Sequence, residues 1–212
     1  MSERLTNDQL LIPAFGLLRK APFSALIAIA TLTLLADFAR ELPELWHRVV
    51  AMGAATIIVQ REVTRNLLHS VGRPGKRRPY GAMLVVGIVT GMLTAAGFAI
   101  FVLPGLYLFA RWSLSNVVLI SEGGSPFGAM GASWARTQPH LPVISVALVL
   151  SFLPPFAVGV VVASVSNRAG LTIAPVISDV AGYSGLVLIW YLAVATYVVL
   201  QPVDEELAQI FA

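Results

Sequence analysis

Residues 25–36 read Ala-Leu-Ile-Ala-Ile-Ala-Thr-Leu-Thr-Leu-Leu-Ala, the centre of an apolar run from Pro22 to Ala39. A helix over that run is ~27 Å long at 1.5 Å rise per residue, close to the ~30 Å of hydrocarbon in a bilayer. Similar runs recur outward along the chain. Together they predict an all-α fold, a polytopic membrane helix bundle of about six transmembrane helices, at about 22–39, 45–60, 80–103, 106–121, 142–165 and 177–200. Residues 1–212 then form a single integral membrane domain. Composition agrees: 57% of residues are hydrophobic and 12% charged, against roughly 25% charged in soluble domains. Mean hydropathy is +0.81.

The spans differ in quality. The second is short and carries His47 and Arg48 at its mouth, and its helix is expected to continue as Arg61-Glu62-Val63-Thr64-Arg65. The third holds Gly87, Gly91 and Ala95 at four-residue spacing, which lets a neighbouring helix approach closely; packing within the chain is the plainer use, dimerisation the rarer one. Pro104-Gly105 breaks the pattern before the fourth, which reads as a full span or as a half-embedded helix. Residues 122–141 read as a polar, Gly-rich connection with a short helix from Pro126 to Thr137. Pro154-Pro155 must disturb the fifth span, because proline removes a helical hydrogen bond. Ahead of the first span, residues 5–20 fit either an interfacial helix with Leu10, Leu11, Phe15 and Leu18 on one face or a frayed lead-in. The apolar run starts only after Lys20 and lacks a small-residue cleavage site, so the first helix is expected to stay in the mature protein.

Loop charges set an expected orientation. With six spans, one side holds Arg4, Arg19, Lys20, Arg61, Arg65, Arg73, Lys76, Arg77, Arg78 and Arg136, and the other holds Arg40, Arg48 and Arg168. The basic side faces the cytoplasm under the positive-inside rule, placing both termini there. A five-span version moves only Arg136 across, so the count separates the two weakly. The net charge of +3 follows from these loops and needs no nucleic-acid partner. The lipid bilayer is the expected partner, with anionic headgroups, other membrane proteins or a second copy of the chain as further ones.

Chemistry-bearing patterns are sparse. There is no cysteine, which excludes disulfides, thiolate nucleophiles and sulfur-ligated metals. His47, His69 and His140 lack metal-ligand spacing. GxSxG, HExxH, phosphate-loop and GxGxxG motifs are missing, so no cofactor and no enzyme activity are expected. Asp37 and Asp179 lie near predicted helix ends, where water is reachable. Arg111 stands out. An intramembrane cation costs roughly 2.5–3.5 kcal/mol on insertion scales unless it is partnered. Glu122 is eleven residues on and shares its helical face. That separation is ~16 Å on a straight helix, so pairing needs a bend or a neighbouring helix. A buried pair fixing helix register is the plainer reading. An anionic-lipid or ligand site of Arg111, Asn116, Glu122 and Arg136 is the sharper one.

From Pro104 to His140 the motif positions Pro104, Gly105, Tyr107, Arg111, Glu122, Gly123, Ser133, Trp134 and Thr137 resemble bacterial multi-span membrane proteins of the YciC type. The same positions are similar to the membrane domain attached to some glycerophosphodiester phosphodiesterases. The likeness covers under a fifth of the chain. It implies a six-span protein of the bacterial cytoplasmic (inner) membrane, with catalysis residing in a separate soluble domain.

Three function classes follow. The first is a non-enzymatic scaffold or regulator of membrane proteins or lipids. The second is a small transporter or channel component, which lacks a visible inverted repeat. The third, a membrane-embedded lipid enzyme, lacks a clustered acid, base or metal site.

Overall fold

The computed structural model describes residues 5–75, 80–169 and 173–201. Arg4, Lys76, Arg77 and Arg78, and the acidic Asp204, Glu205 and Glu206, lie outside the described residues. The fold is all-helical, 89% helix with no strand among the described residues. Among the described residues nine α-helices follow one another: α1 (Asn7–Lys20), α2 (Pro22–Arg40), α3 (Leu45–Ser70), α4 (Tyr80–Ile100), α5 (Val102–Trp112), α6 (Ser115–Ser121), α7 (Pro126–Thr137), α8 (Leu141–Ala169) and α9 (Ala174–Leu200), with a 3-10 turn at Gln138–His140.

Five described stretches are long and apolar enough to cross a membrane: Pro22–Arg40, Tyr80–Ile100, Val102–Ser121, Pro126–Ser166 and Ala174–Leu200. The α3 helix is not among them. Its uncharged stretch, Val49 to Gln60, lies between Arg48 and Arg61, and the helix does run on through Arg65 as its sequence suggested.

Helices α2–α3, α4–α5 and α8–α9 pack as hairpins, and α9 is the central rod against which α1, α2, α3, α6 and α8 lie. Some 61% of its apolar stretch is inside the protein, against 17% for the stretch containing α8. Helices α2 and α9 run antiparallel: the Tyr191 hydroxyl donates to the Ala21 carbonyl at 2.6 Å, and Arg40 at the far end of α2 pairs with Asp179. Burial is uneven along the bundle. At the C-terminal end of α9, residues Ile189 to Ala195 are buried all round, together with Leu10, Leu67, Leu68, Leu119 and Ile120. Toward the other end Leu34, Phe38, Ile100, Phe101, Leu153 and Val161 stand exposed.

Several local expectations are redrawn. Helix α1 is an ordered helix rather than a frayed lead-in: Leu10, Ala14 and Leu17, at helical spacing, bury one face against α9, while Phe15 points outward. Pro13 does not interrupt it. The chain leaves the helix at Phe101 (φ −170°, ψ 158°), so Pro104 falls in the first turn of α5, where its missing N–H costs nothing. Gly87 does pack closely, on Ile57 of α3, but Gly91 faces open space and Ala95 is exposed. The tight small-residue contact is instead Gly97 on Gly105, where a Cβ on Gly105 would lie 2.3 Å from the Phe98 ring. Helix α8 continues through Pro154-Pro155. The 122–141 connection contains the helix expected at Pro126–Thr137, entered through Gly123 (φ 81°) and Gly124 (φ 91°). Both glycines hold left-handed backbone that other residues rarely adopt.

Candidate functional site

Between α5 and α6 the helix is interrupted at Ser113-Leu114, which frees backbone groups that a buried site must satisfy. Helix α7 satisfies them. Its Ser133 hydroxyl accepts from the Leu114 N–H at 3.2 Å and donates to the Arg111 carbonyl at 2.8 Å. Thr137, one turn on, donates toward the same carbonyl at 3.2 Å and toward the Ser133 carbonyl at 2.9 Å. The Ser125 hydroxyl caps α7 by accepting from Gly128 N–H at 3.0 Å, and Pro126 sits at its first position.

The Arg111 backbone is therefore pinned, while its side chain is held by rings. The residue is 3% exposed. Its guanidinium carbon lies 4.1 Å from the Trp134 ring centre and 5.7 Å from that of Tyr107. Trp134 in turn meets Trp112 at 5.6 Å and Tyr107 at 5.7 Å. Nε and Nη1 are shut off from the surface and have no hydrogen-bond partner among the described residues. A desolvated cation–π contact is worth about 2 kcal/mol. Burying a charge costs several kcal/mol, and each unpaired charged donor costs more than about 1–3 kcal/mol. The rings alone do not offset that cost.

Glu122 and Arg136 form a second, separate cluster. They pair through two parallel bonds, Nη1–Oε1 at 2.6 Å and Nη2–Oε2 at 2.9 Å, the fork geometry that makes Arg–carboxylate pairs strong. The Tyr197 hydroxyl of α9 donates to Glu122 Oε1 at 2.9 Å. The Gln201 amide, oriented by its neighbours, donates to Glu122 at 3.0 Å and accepts from Arg136 at 2.9 Å. Arg73 donates to the Gln201 carbonyl and lies over the Tyr197 ring. Hydrogen bonding from Arg136 first, then from Tyr197 and Gln201, holds the Glu122 carboxyl below its ordinary value against the opposing effect of burial.

Of the four residues expected to converge, the structure joins Glu122 to Arg136 only. Arg136 has its charge answered there. Asn116 donates to Gln60 of α3 at 2.9 Å, and no ion pair or hydrogen bond links Arg111 to any of the other three. The bend that an Arg111–Glu122 pair would need exists at Ser113-Leu114, yet Glu122 turns to α7 and α9. Residues that carry the geometry but were not singled out are Gln60, Tyr197, Gln201 and Arg73. No spacing joins them to Glu122 and Arg136, because they come from α3, from the segment after it and from the end of α9. Ser133, Trp134 and Thr137 appeared only as motif positions.

At the opposite end, Asp37 and Asp179 both meet Arg40, the former at 2.8 Å. Near the Glu122 cluster's side of the bundle, Arg61 stacks on Tyr80 at 4.2 Å and shares Glu62 with Arg65. A cleft of about 640 Å³ beside α1 is lined by Leu5, Ile12, Pro13, His140 and Leu200, none of them an expected site residue. Among the described residues no set of three His, Cys, Asp or Glu is placed to hold a metal. No family model, curated protein or solved structure matches this chain.

Proposed function

We propose that the chain is a non-catalytic, six-span protein of a bacterial inner membrane that scaffolds or regulates membrane proteins or lipids, with both termini in the cytoplasm. The observation that carries the reading is the use made of its polar side chains. Glu122, Arg136, Tyr197, Gln201 and Arg73 tie α6, α7, α9 and the segment after α3 together at one end, and Arg40 with Asp179 ties α2 to α9 at the other. Such interhelical bonds hold a bundle in one arrangement, as a scaffold requires. The apolar side chains left outside are suited to lipid or to other membrane helices. The YciC-type likeness over Pro104–Thr137 supports the same assignment.

The segment after α3, the turn at Glu122 and the end of α9 meet at one end of the bundle. That arrangement supports an even number of crossings between them. The basic residues of these connections then face the cytoplasm.

Proteoliposomes test the functional half of this reading. The purified chain in sealed vesicles should pass ions and small solutes no faster than empty vesicles do. Flux above that background would assign it to the transporter class instead. A reporter active only in the periplasm, fused at Gly75, should stay silent.

A further inference from the structure

Seven buried side-chain polar atoms lack a hydrogen-bond partner among the described residues, and four of them belong to Arg111, Ser115 and Asn116. Unsatisfied polarity is thus concentrated in one half-turn either side of the α5–α6 interruption. Native proteins rarely leave such groups empty. The charged member is a cation whose nearest neighbours are rings, and Ser115, 1% exposed, adds a hydroxyl that can donate. The described acids near any partner are otherwise occupied: Glu122 by Arg136, Glu62 by Arg61 and Arg65, Asp37 and Asp179 by Arg40.

We infer that Arg111 is the receptor for an anionic phosphate group, with Ser115 as a second donor, in the interrupted α5–α6 span. The inference rests on the membrane reading above and narrows it to a ligand class. Guanidinium N–H groups suit phosphate oxygens, and a stacked ring keeps the cation oriented with Nε and Nη1 buried and unpartnered among the described residues. Trp134 covers one face of the guanidinium. Tyr107, 41% exposed, and the half-buried Trp134 are the rings that lie against the Arg111 guanidinium, and the proposed route to it passes them. A phosphate there is either the headgroup of an anionic lipid or a free phosphate. Asn116 Oδ1 is an acceptor and does not serve the anion; it suits a hydroxyl of the bound group or a water. Arg136 and Glu122 take no part, since each answers the other.

Native mass spectrometry of the full chain in detergent tests this, with phosphatidylglycerol, phosphatidylcholine and inorganic phosphate as probes. The wild type should retain phosphatidylglycerol at least ~10-fold more tightly than phosphatidylcholine, and R111Q should lose that preference, a change of about 1.4 kcal/mol. R136Q should keep it. Displacement by inorganic phosphate at millimolar levels would assign the site to free phosphate, and failure of phosphate to compete would assign it to a lipid headgroup. Equal retention by wild type and R111Q overturns the inference, as does equal retention of the two lipids by a wild type that also fails to bind inorganic phosphate. Should R111Q not fold, S115A, which removes one donor, should weaken phosphatidylglycerol several-fold, and no change in S115A overturns the inference equally. A chain that binds no anion yet resists extraction from membranes by alkaline carbonate sinks the inference alone. A chain released by carbonate sinks the membrane reading.

Discussion

At the scale of single residues the molecule separates two cations that look alike in sequence. Arg136 is answered by a carboxylate in fork geometry, whereas Arg111 is answered by rings. The difference arises because the Gly123-Gly124 turn folds α7 back, which brings Arg136 rather than Arg111 to Glu122. Glu122 has its carboxyl pKa depressed by Arg136, so its contribution to stability is complete at neutral pH. That contribution is lost as the pH falls through the lowered value of the folded state. E122Q should lower the unfolding temperature in detergent at neutral pH and should flatten the acid limb of the stability profile. The side chain is about one-third exposed, so screening limits the effect to ~1 kcal/mol. An unchanged acid limb in E122Q would show that the pair is not formed. Arg111 was legible from sequence as an unusual residue, because a lone charge in an apolar run is conspicuous. Its neighbours were not, since Trp134 reaches it from α7 across a turn.

Helices and their contacts form the next scale. Apolar length alone located α2, α4, α8 and α9, because a run near ~30 Å is set by the bilayer rather than by tertiary contacts. What the pattern misread was which glycine matters. Gly91 sits in a regular small-residue stripe yet faces open space, whereas Gly105, in no stripe, lies against the Phe98 ring. Close approach depends on where a hairpin closes, and Phe101 closes this one. G105A should therefore destabilise the α4–α5 hairpin by about 1–3 kcal/mol through overpacking. G91A should be neutral or gain up to about 1 kcal/mol in helix propensity. Thermal unfolding of both variants in one detergent checks the contrast, and equal behaviour would remove the hairpin packing described above. S133A leaves the Leu114 N–H without its acceptor inside the protein. It should cost about 1–3 kcal/mol by the same assay.

For the whole molecule, the uneven burial matters most. The end that holds the Glu122 cluster has a packed core, and the other end displays apolar side chains. Charge counting bears on which side of the membrane the loops face, since the loops carry nearly all the basic residues. It did not separate six spans from five, because only Arg136 distinguishes them, and Arg136 is bound inside the Glu122 cluster.

The absence of native cysteine makes the decisive measurement clean. Single cysteines at Glu41, His69 and Ser125 are exposed in turn to a membrane-impermeant maleimide on intact cells. Six spans with cytoplasmic termini predict labelling of E41C from outside, and labelling of H69C and S125C only after the membrane is opened. Labelling of S125C on intact cells would contradict the six-span account, because Ser125 would then lie on the same side as Glu41.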